Sequence, residues 1–230
     1  MEASYLPASN AMLLVKNLTK HFQIGFVRKR HVFSLEGVSF FLKKGELIHM
    51  LGSNGSGKST TLKIIMGLIK QDAGEIFFEE KPLTEKERRN IAYLPEKIYP
   101  FLSLTPEEYL SFFLSYTREF SGKKSFAKEI ESSLSWVELQ KERWQIPLRF
   151  LSKGSRKKVL WAEVFLSKAK LYILDEPFCD LDESFRLKTL RWIEDKLKEK
   201  ESSFLLCNHY KEDLFLKASQ VLSIDNGRLK

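Results

Sequence analysis

The chain has 230 residues, 43% hydrophobic and 30% charged, the composition of a globular protein long enough to bury a core. Its net charge of +8 admits nucleotide, nucleic acid or anionic lipid as partners, with basic residues densest at Arg28-Lys29-Arg30 and Arg156-Lys157-Lys158. No apolar run approaches the ~20 residues that cross a bilayer, and Met1 to Asn10 lacks a secretory signal's basic start and apolar centre, so neither class is expected.

The first strong element is the run Glu46 to Leu51, which reads as a strand, with His49 inside it as a satisfied core histidine. Gly52-Ser53-Asn54-Gly55-Ser56-Gly57-Lys58-Ser59 follows and fits the G-x-x-x-x-G-K-[ST] phosphate loop without a mismatch. Its glycines let backbone N–H groups turn inward around phosphates, where a side chain would block the approach. Beyond it, Leu62, Ile65, Met66 and Ile69 fall at i, i+3, i+4 and i+7, the apolar face of a helix. That helix would add its positive N-terminal end, Thr60 completing the binding stretch. Lys58 would reach the β- and γ-phosphates, and the Ser59 hydroxyl would ligate Mg²⁺.

A second helix starts at Thr105 as N-cap, with Pro106 in its first turn and Glu108 completing a capping box. Tyr109, Phe112, Phe113, Tyr116 and Phe120 form an aromatic stripe on it, either core of a helical lobe or in part the lining of a partner groove. Leu151-Ser152-Lys153-Gly154-Ser155 opens another helix and, as a bare pentapeptide, reads as a cap. Leu171 to Leu174 is a buried parallel-type strand that delivers Asp175 and Glu176 at its C-terminal end, where open α/β sheets bind ligands. Asp175 suits Mg²⁺, and Glu176 is placed to orient or deprotonate an attacking water. Cys179 and Cys207 have no metal or redox spacing, so a reducing cytoplasm is expected. His209 follows the apolar run Ser203 to Cys207; a histidine at a strand end is ordinarily structural. The chain ends at Asn226 to Lys230, just past the last strand, so no appended domain is expected.

Taken in order, these motifs resemble the ATP-binding subunit of an ABC transporter, with Leu151 to Ser155 matching its LSGGQ signature. The resemblance covers residues 12–228 and implies several further roles. Phe22 matches the aromatic that stacks on adenine, though it could equally be core. Ile91 to Glu96 resembles the Q-loop, with Glu96, near the metal, where glutamine is usual. Phe178 to Asp182 resembles the D-loop, and His209 the switch histidine at the γ-phosphate. Ser152 and Gly154 would reach across a dimer interface to the nucleotide of the other copy. The implied fold is α/β: a phosphate-loop NTPase core with a mostly parallel sheet, an antiparallel β-lobe and an inserted helical lobe. All 230 residues would form one domain, with the β-lobe at 12–45, the core at 46–96 plus 151–230, and the helical lobe at 97–150.

The run Ile24 to Arg30 would extend the β-lobe as a basic hairpin, a feature, like the segment Pro95 to Glu107, of exporter-type subunits. The implied function is hydrolysis of ATP, with Mg²⁺, by a homodimer or a heterodimer with a related ATPase subunit. It would power transport, with export favoured, through an integral membrane permease at the cytoplasmic face of the cell membrane. No nucleic-acid partner is expected. The alternative is a soluble ABC-type ATPase acting on nucleic acid or the ribosome, whose two cassettes, coiled-coil arms or zinc modules have no counterpart here.

Overall fold

The computed structural model describes residues 10–24, 30–97, 101–117, 126–200, 202–208 and 218–230. Two sheets organise them. β1 (Ala11–Ile24) and β2 (Arg30–Lys43) form a long antiparallel hairpin whose pairing runs out to Ile24 and Arg30, as the basic insertion leads one to expect. β4 (Ala73–Phe78) pairs on the other side of β1, and β5 (Lys81–Pro82) closes that sheet. The antiparallel sheet thus takes in residues 73–82, which the sequence reading places in the core; their partners lie some sixty residues back, beyond any local pattern.

The second sheet runs β10-β9-β3-β8-β7-β6. Its parallel centre is β6 (Ile91–Leu94), β7 (Leu171–Asp175), β8 (Ser203–Asn208), β3 (Leu47–Leu51) and β9 (Gln220–Asp225), with β10 (Arg228–Leu229) antiparallel at the edge. β3, β7 and β8 are buried along their whole length, as strands covered on both faces must be. Alternation divides their side chains: Tyr172, Leu174, Phe204 and Leu206 pack on one face, and Ile173, Leu205, Ile48 and Met50 on the other.

The first face carries α5 (Lys153–Leu166), α6 (Glu183–Lys198) and the helical lobe of α3 (Pro106–Thr117) and α4 (Phe126–Trp136). Trp161 of α5 is fully buried there, and its indole N–H donates to the Pro177 carbonyl at 2.9 Å, fixing the helix against the chain leaving β7. The other face carries α1 (Lys58–Ile65) and the antiparallel sheet, and a short α2 (Glu85–Arg88) follows β5 in the chain. α1 stops at Ile65, before Met66 and Ile69 of the expected apolar face, where the chain turns at Gly67; Ile69 still packs on the core from the loop.

α3 begins as its sequence dictates. Glu108 N–H donates to Thr105 Oγ1 at 3.2 Å, and Thr105 N–H to the Glu108 carboxylate at 2.8 Å. The aromatic stripe on α3 divides: Tyr109 is buried, whereas Phe112 and Tyr116 are 50% and 67% exposed. Phe120 lies outside the described residues. His49 is buried in β3.

Candidate nucleotide site

The site gathers at the C-terminal edge of the parallel strands. β3 ends at Leu51, and the loop 52–57 turns directly into α1, whose N-cap is Gly57 with φ +116°, a conformation closed to other residues. A Cβ on Gly52 would lie 2.3 Å from the Ile224 carbonyl and 2.5 Å from Ser56 Oγ, so the loop closes only with glycine there. Lys58 is buried and its ammonium donates to the Gly52 and Ser53 carbonyls at 2.6 and 3.1 Å. Ser56 Oγ is buried without a partner, a polar atom aimed into the turn.

Next to it, β7 delivers the two carboxylates. The Ser59 hydroxyl donates to Asp175, while Asp175 Oδ1 is buried with no hydrogen-bond partner. Burial raises the Asp175 carboxyl above its ordinary range, with the Ser59 bond opposing. Glu176 leaves the strand with φ +48°, its N–H donating to the Cys207 carbonyl at 2.9 Å. Burial pushes Glu176 up to about 7, opposed first by the Lys58 ammonium. A base tuned there holds a proton and loses it near neutral pH.

A cavity of about 620 Å³ is lined by Asn54 to Thr60 together with Glu96, Glu176, Val32 and Phe33. The structure therefore brings together Lys58, Ser59, Glu96 and Glu176, with Asp175 bonded to Ser59 beneath. Glu96 follows β6; its carboxylate faces the Lys97 ammonium at 3.3 Å and remains half exposed. Phe22 is not in this lining. It stands one ring away, across the hairpin from Phe33, whose Cζ would lie 3.1 Å from a Cβ on Gly57. The sequence reading misses Phe33, because only the strand register shows which hairpin aromatic faces the loop. His209 lies outside the described residues.

The signature segment sits elsewhere. Ser152 caps α5, its Oγ accepting from Ser155 N–H at 3.1 Å, so the cap reading of the bare pentapeptide is correct locally. A Cβ on Gly154 would lie 2.6 Å from the Asp180 carbonyl, which makes glycine obligatory where α5 meets the loop after β7. Asp182 caps α6 through Phe185 N–H at 2.8 Å and takes the Lys158 ammonium at 3.0 Å. Those bonds hold its carboxyl far below the usual range. Ser152, Gly154, Arg143, Lys158, Asp180 and Asp182 line a separate cavity of about 250 Å³, sharing no residue with the phosphate-loop cavity.

A divalent cation fits these donors on chemistry. The buried, unpartnered Asp175 Oδ1 and the Ser59 hydroxyl beside it are hard oxygens. Among the described residues no group of three His, Cys, Asp or Glu could hold a metal by itself. Mg²⁺ held with a nucleotide needs only one or two protein oxygens.

The sheet, the loop and the two carboxylates define a phosphate-loop nucleotide-binding protein. Comparison narrows that class. The family described as "ABC transporter" matches residues 35–179, and the chain belongs to it: its ATP-binding cassettes hydrolyse ATP to power transport. The chain is 30% identical to the SkfA peptide export ATP-binding protein SkfE of Bacillus subtilis (strain 168), over 95% of its own length and 87% of that relative. It is 27% identical to the putative hemin import ATP-binding protein HrtA of Staphylococcus aureus (strain MRSA252), over 94% and 98%. The ATP-binding cassette MJ0796, in a dimeric post-hydrolysis state bound to ADP and Pi, matches with a TM-score of 0.84 over 95% of this chain and 97% of that one. At 22% identity that match is one of fold. Among the described residues no helix is long and apolar enough to cross a membrane.

Proposed function

We propose that two copies of this chain, or one copy and a related subunit, close head to tail around two ATP molecules and so drive a separate membrane permease. The observation that carries this reading is the separation of the two half-sites. Lys58, Ser59 and Glu176 line one cavity, with Asp175 bonded to Ser59 beneath, whereas Ser152 and Gly154 line another that shares no residue with it, which supports the two half-sites serving different nucleotides. A two-fold arrangement completes both sites at once.

Each part has a physical task. The loop N–H groups, the α1 N-terminus and Lys58 bind the phosphates. Ser59 and Asp175, with Glu96 at the rim, would hold Mg²⁺, which supplies charge neutralisation on the phosphate oxygens. Glu176 would take the proton of the attacking water, and His209 is assigned, by its place in the family's motif series, to the γ-phosphate. Ser152 Oγ and the Gly154 N–H, at the N-terminus of α5, serve the nucleotide of the other copy.

The antiparallel lobe, 12–45 together with the strands at 73–82, frames the base, the rest of 46–96 with 151–230 the phosphates, and the helical lobe at 97–150 the permease contact. Work at the cytoplasmic face of the membrane and export follow the same reading. The peptide-export name of SkfE supports export, and the import name of HrtA is its counterweight.

The test is complementation. Ser152→Arg and Lys58→Ala should each abolish turnover. Mixed, they form one hybrid site with an intact phosphate loop facing an intact signature loop, and activity returns. No recovery under dimer-forming conditions overturns the head-to-tail arrangement. Gly154 is unsuited to this test, since any side chain there meets Asp180.

A further inference from the structure

Lys157 lies in a basic run, Arg156-Lys157-Lys158, yet only 3% of its surface is exposed. It stands on the inward face of α5, one turn ahead of the buried Leu160 and Trp161. Its ammonium donates to the Pro95 carbonyl at 3.3 Å and the Glu96 carbonyl at 3.2 Å. Those carbonyls belong to the turn that leaves β6 and carries the Glu96 side chain to the phosphate-loop cavity. The charge also acts on Asp175 and Glu176, lowering both carboxyls against the effect of burial. A buried cation is retained only where specific acceptors hold it, and here two backbone oxygens of one turn do so.

We propose that Lys157 is a positioning residue: its ammonium clamps the Pro95–Glu96 turn to the N-terminal turns of α5, so that Glu96 and the signature end of that helix move as one body. The proposal rests on the site reading above and assigns a role outside the motifs that define it. Ser152 and Gly154 open the helix that Lys157 anchors, so the clamp links the half-site built on the phosphate loop to the half-site offered to the other copy. Lys157 has no phosphate-loop residue among its hydrogen-bond partners, and Lys58 is held by the Gly52 and Ser53 carbonyls instead. Its removal should therefore spare nucleotide binding and slow turnover.

The experiment is steady-state ATPase kinetics of Lys157→Met, which keeps the side-chain length and removes the donor, with Lys157→Arg as the charge-keeping control. The expected result is a kcat lower by about ten-fold or more with KM for ATP within about two-fold, and recovery of most of kcat in Lys157→Arg. A kcat within about two-fold of the native value overturns the proposal, as does a KM that rises in step with the fall in kcat. If Lys157→Met does not fold, Lys157→Gln, whose shorter neutral side chain removes the charge-assisted bonds while staying polar, is judged by the same split. Glu176→Gln measured in parallel separates the two readings: turnover retained there fails the catalytic assignment, while the clamp is decided by the Lys157 variants alone.

Discussion

Phe22 and Phe33 are directly paired across the β1–β2 hairpin, their rings 6.2 Å apart at a tilt of 36°, and it is Phe33 that borders the phosphate loop. A flat ring beside the turn is the surface on which a nucleotide base can stack. Phe33→Ala should weaken ATP binding by about ten-fold, about 1.4 kcal/mol, and Phe22→Ala by about two-fold, through loosening of its neighbour. Titration calorimetry on the two variants decides it. A larger loss in Phe22→Ala would put the base on Phe22 instead.

Glu176 leaves β7 in a left-handed conformation beside the buried Asp175. Glu176→Gln keeps the shape and removes the base, so turnover should fall by about 10²–10⁴-fold while ATP still binds. The variant should accumulate as an ATP-bound dimer on gel filtration. Turnover near the native rate would remove Glu176 from the water-activating role.

How much of this was legible in the residues depends on the range of the interaction. The loop 52–59 and the strand ending in Asp175 are written in contiguous residues, and the Thr105 capping box in a three-residue spacing; the structure holds all three. Phe33 and the joining of β4 to β1 depend on strand register, a non-local property that a single sequence does not carry. Lys157 was partly readable. It falls three and four residues before Leu160 and Trp161, on the apolar face of α5, but its charge places it with a solvated basic run. The division of the α3 stripe, Tyr109 in and Tyr116 out, follows from where the helix meets Phe101 and α5, which spacing alone does not fix.

Glu163 of α5 accepts a hydrogen bond from the Tyr109 hydroxyl of α3, joining the core to the helical lobe. Burial pushes its carboxyl up to about 7, against which the Tyr109 bond acts. A folded-state value above the unfolded one means the folded chain holds the proton more tightly. That contribution is fully present below the unfolded value and is lost as pH rises through about 7. The raise, from 4.5 to about 7, corresponds to an upper bound of about 3 kcal/mol. Melting temperature should therefore fall between mildly acidic and alkaline pH in the native chain, and fall less in Glu163→Gln. Equal slopes in the two proteins would dissociate Glu163 from the effect.

The same contact floors a cleft of about 540 Å³ between the two lobes, lined by Leu68, Phe101, Tyr109 and Glu163 and reaching Ser59 and Glu96. Phe101 packs 5.4 Å from Phe112, so the exposed Phe112 continues this lining outward, with Leu68 65% exposed on the core side. On the proposed function, exposed aromatic and aliphatic side chains flanking a cleft that reaches Ser59 and Glu96 would serve as a groove for an amphipathic helix. On that proposal, a permease helix seated there would feel Glu96 move when the γ-phosphate leaves, and hydrolysis would be passed to the partner as motion. Phe112 is not among the residues lining the phosphate-loop cavity, so Phe112→Asp should leave the ATPase activity of the isolated chain within about two-fold of native. The same change places a charge in an apolar contact and should abolish both co-purification with the permease in mild detergent and transport. Fractionation of the native protein supplies the decisive comparison. A chain that stays wholly out of the membrane fraction and instead sediments with ribosomes or DNA would replace the transport reading with that of an ATPase acting on nucleic acid.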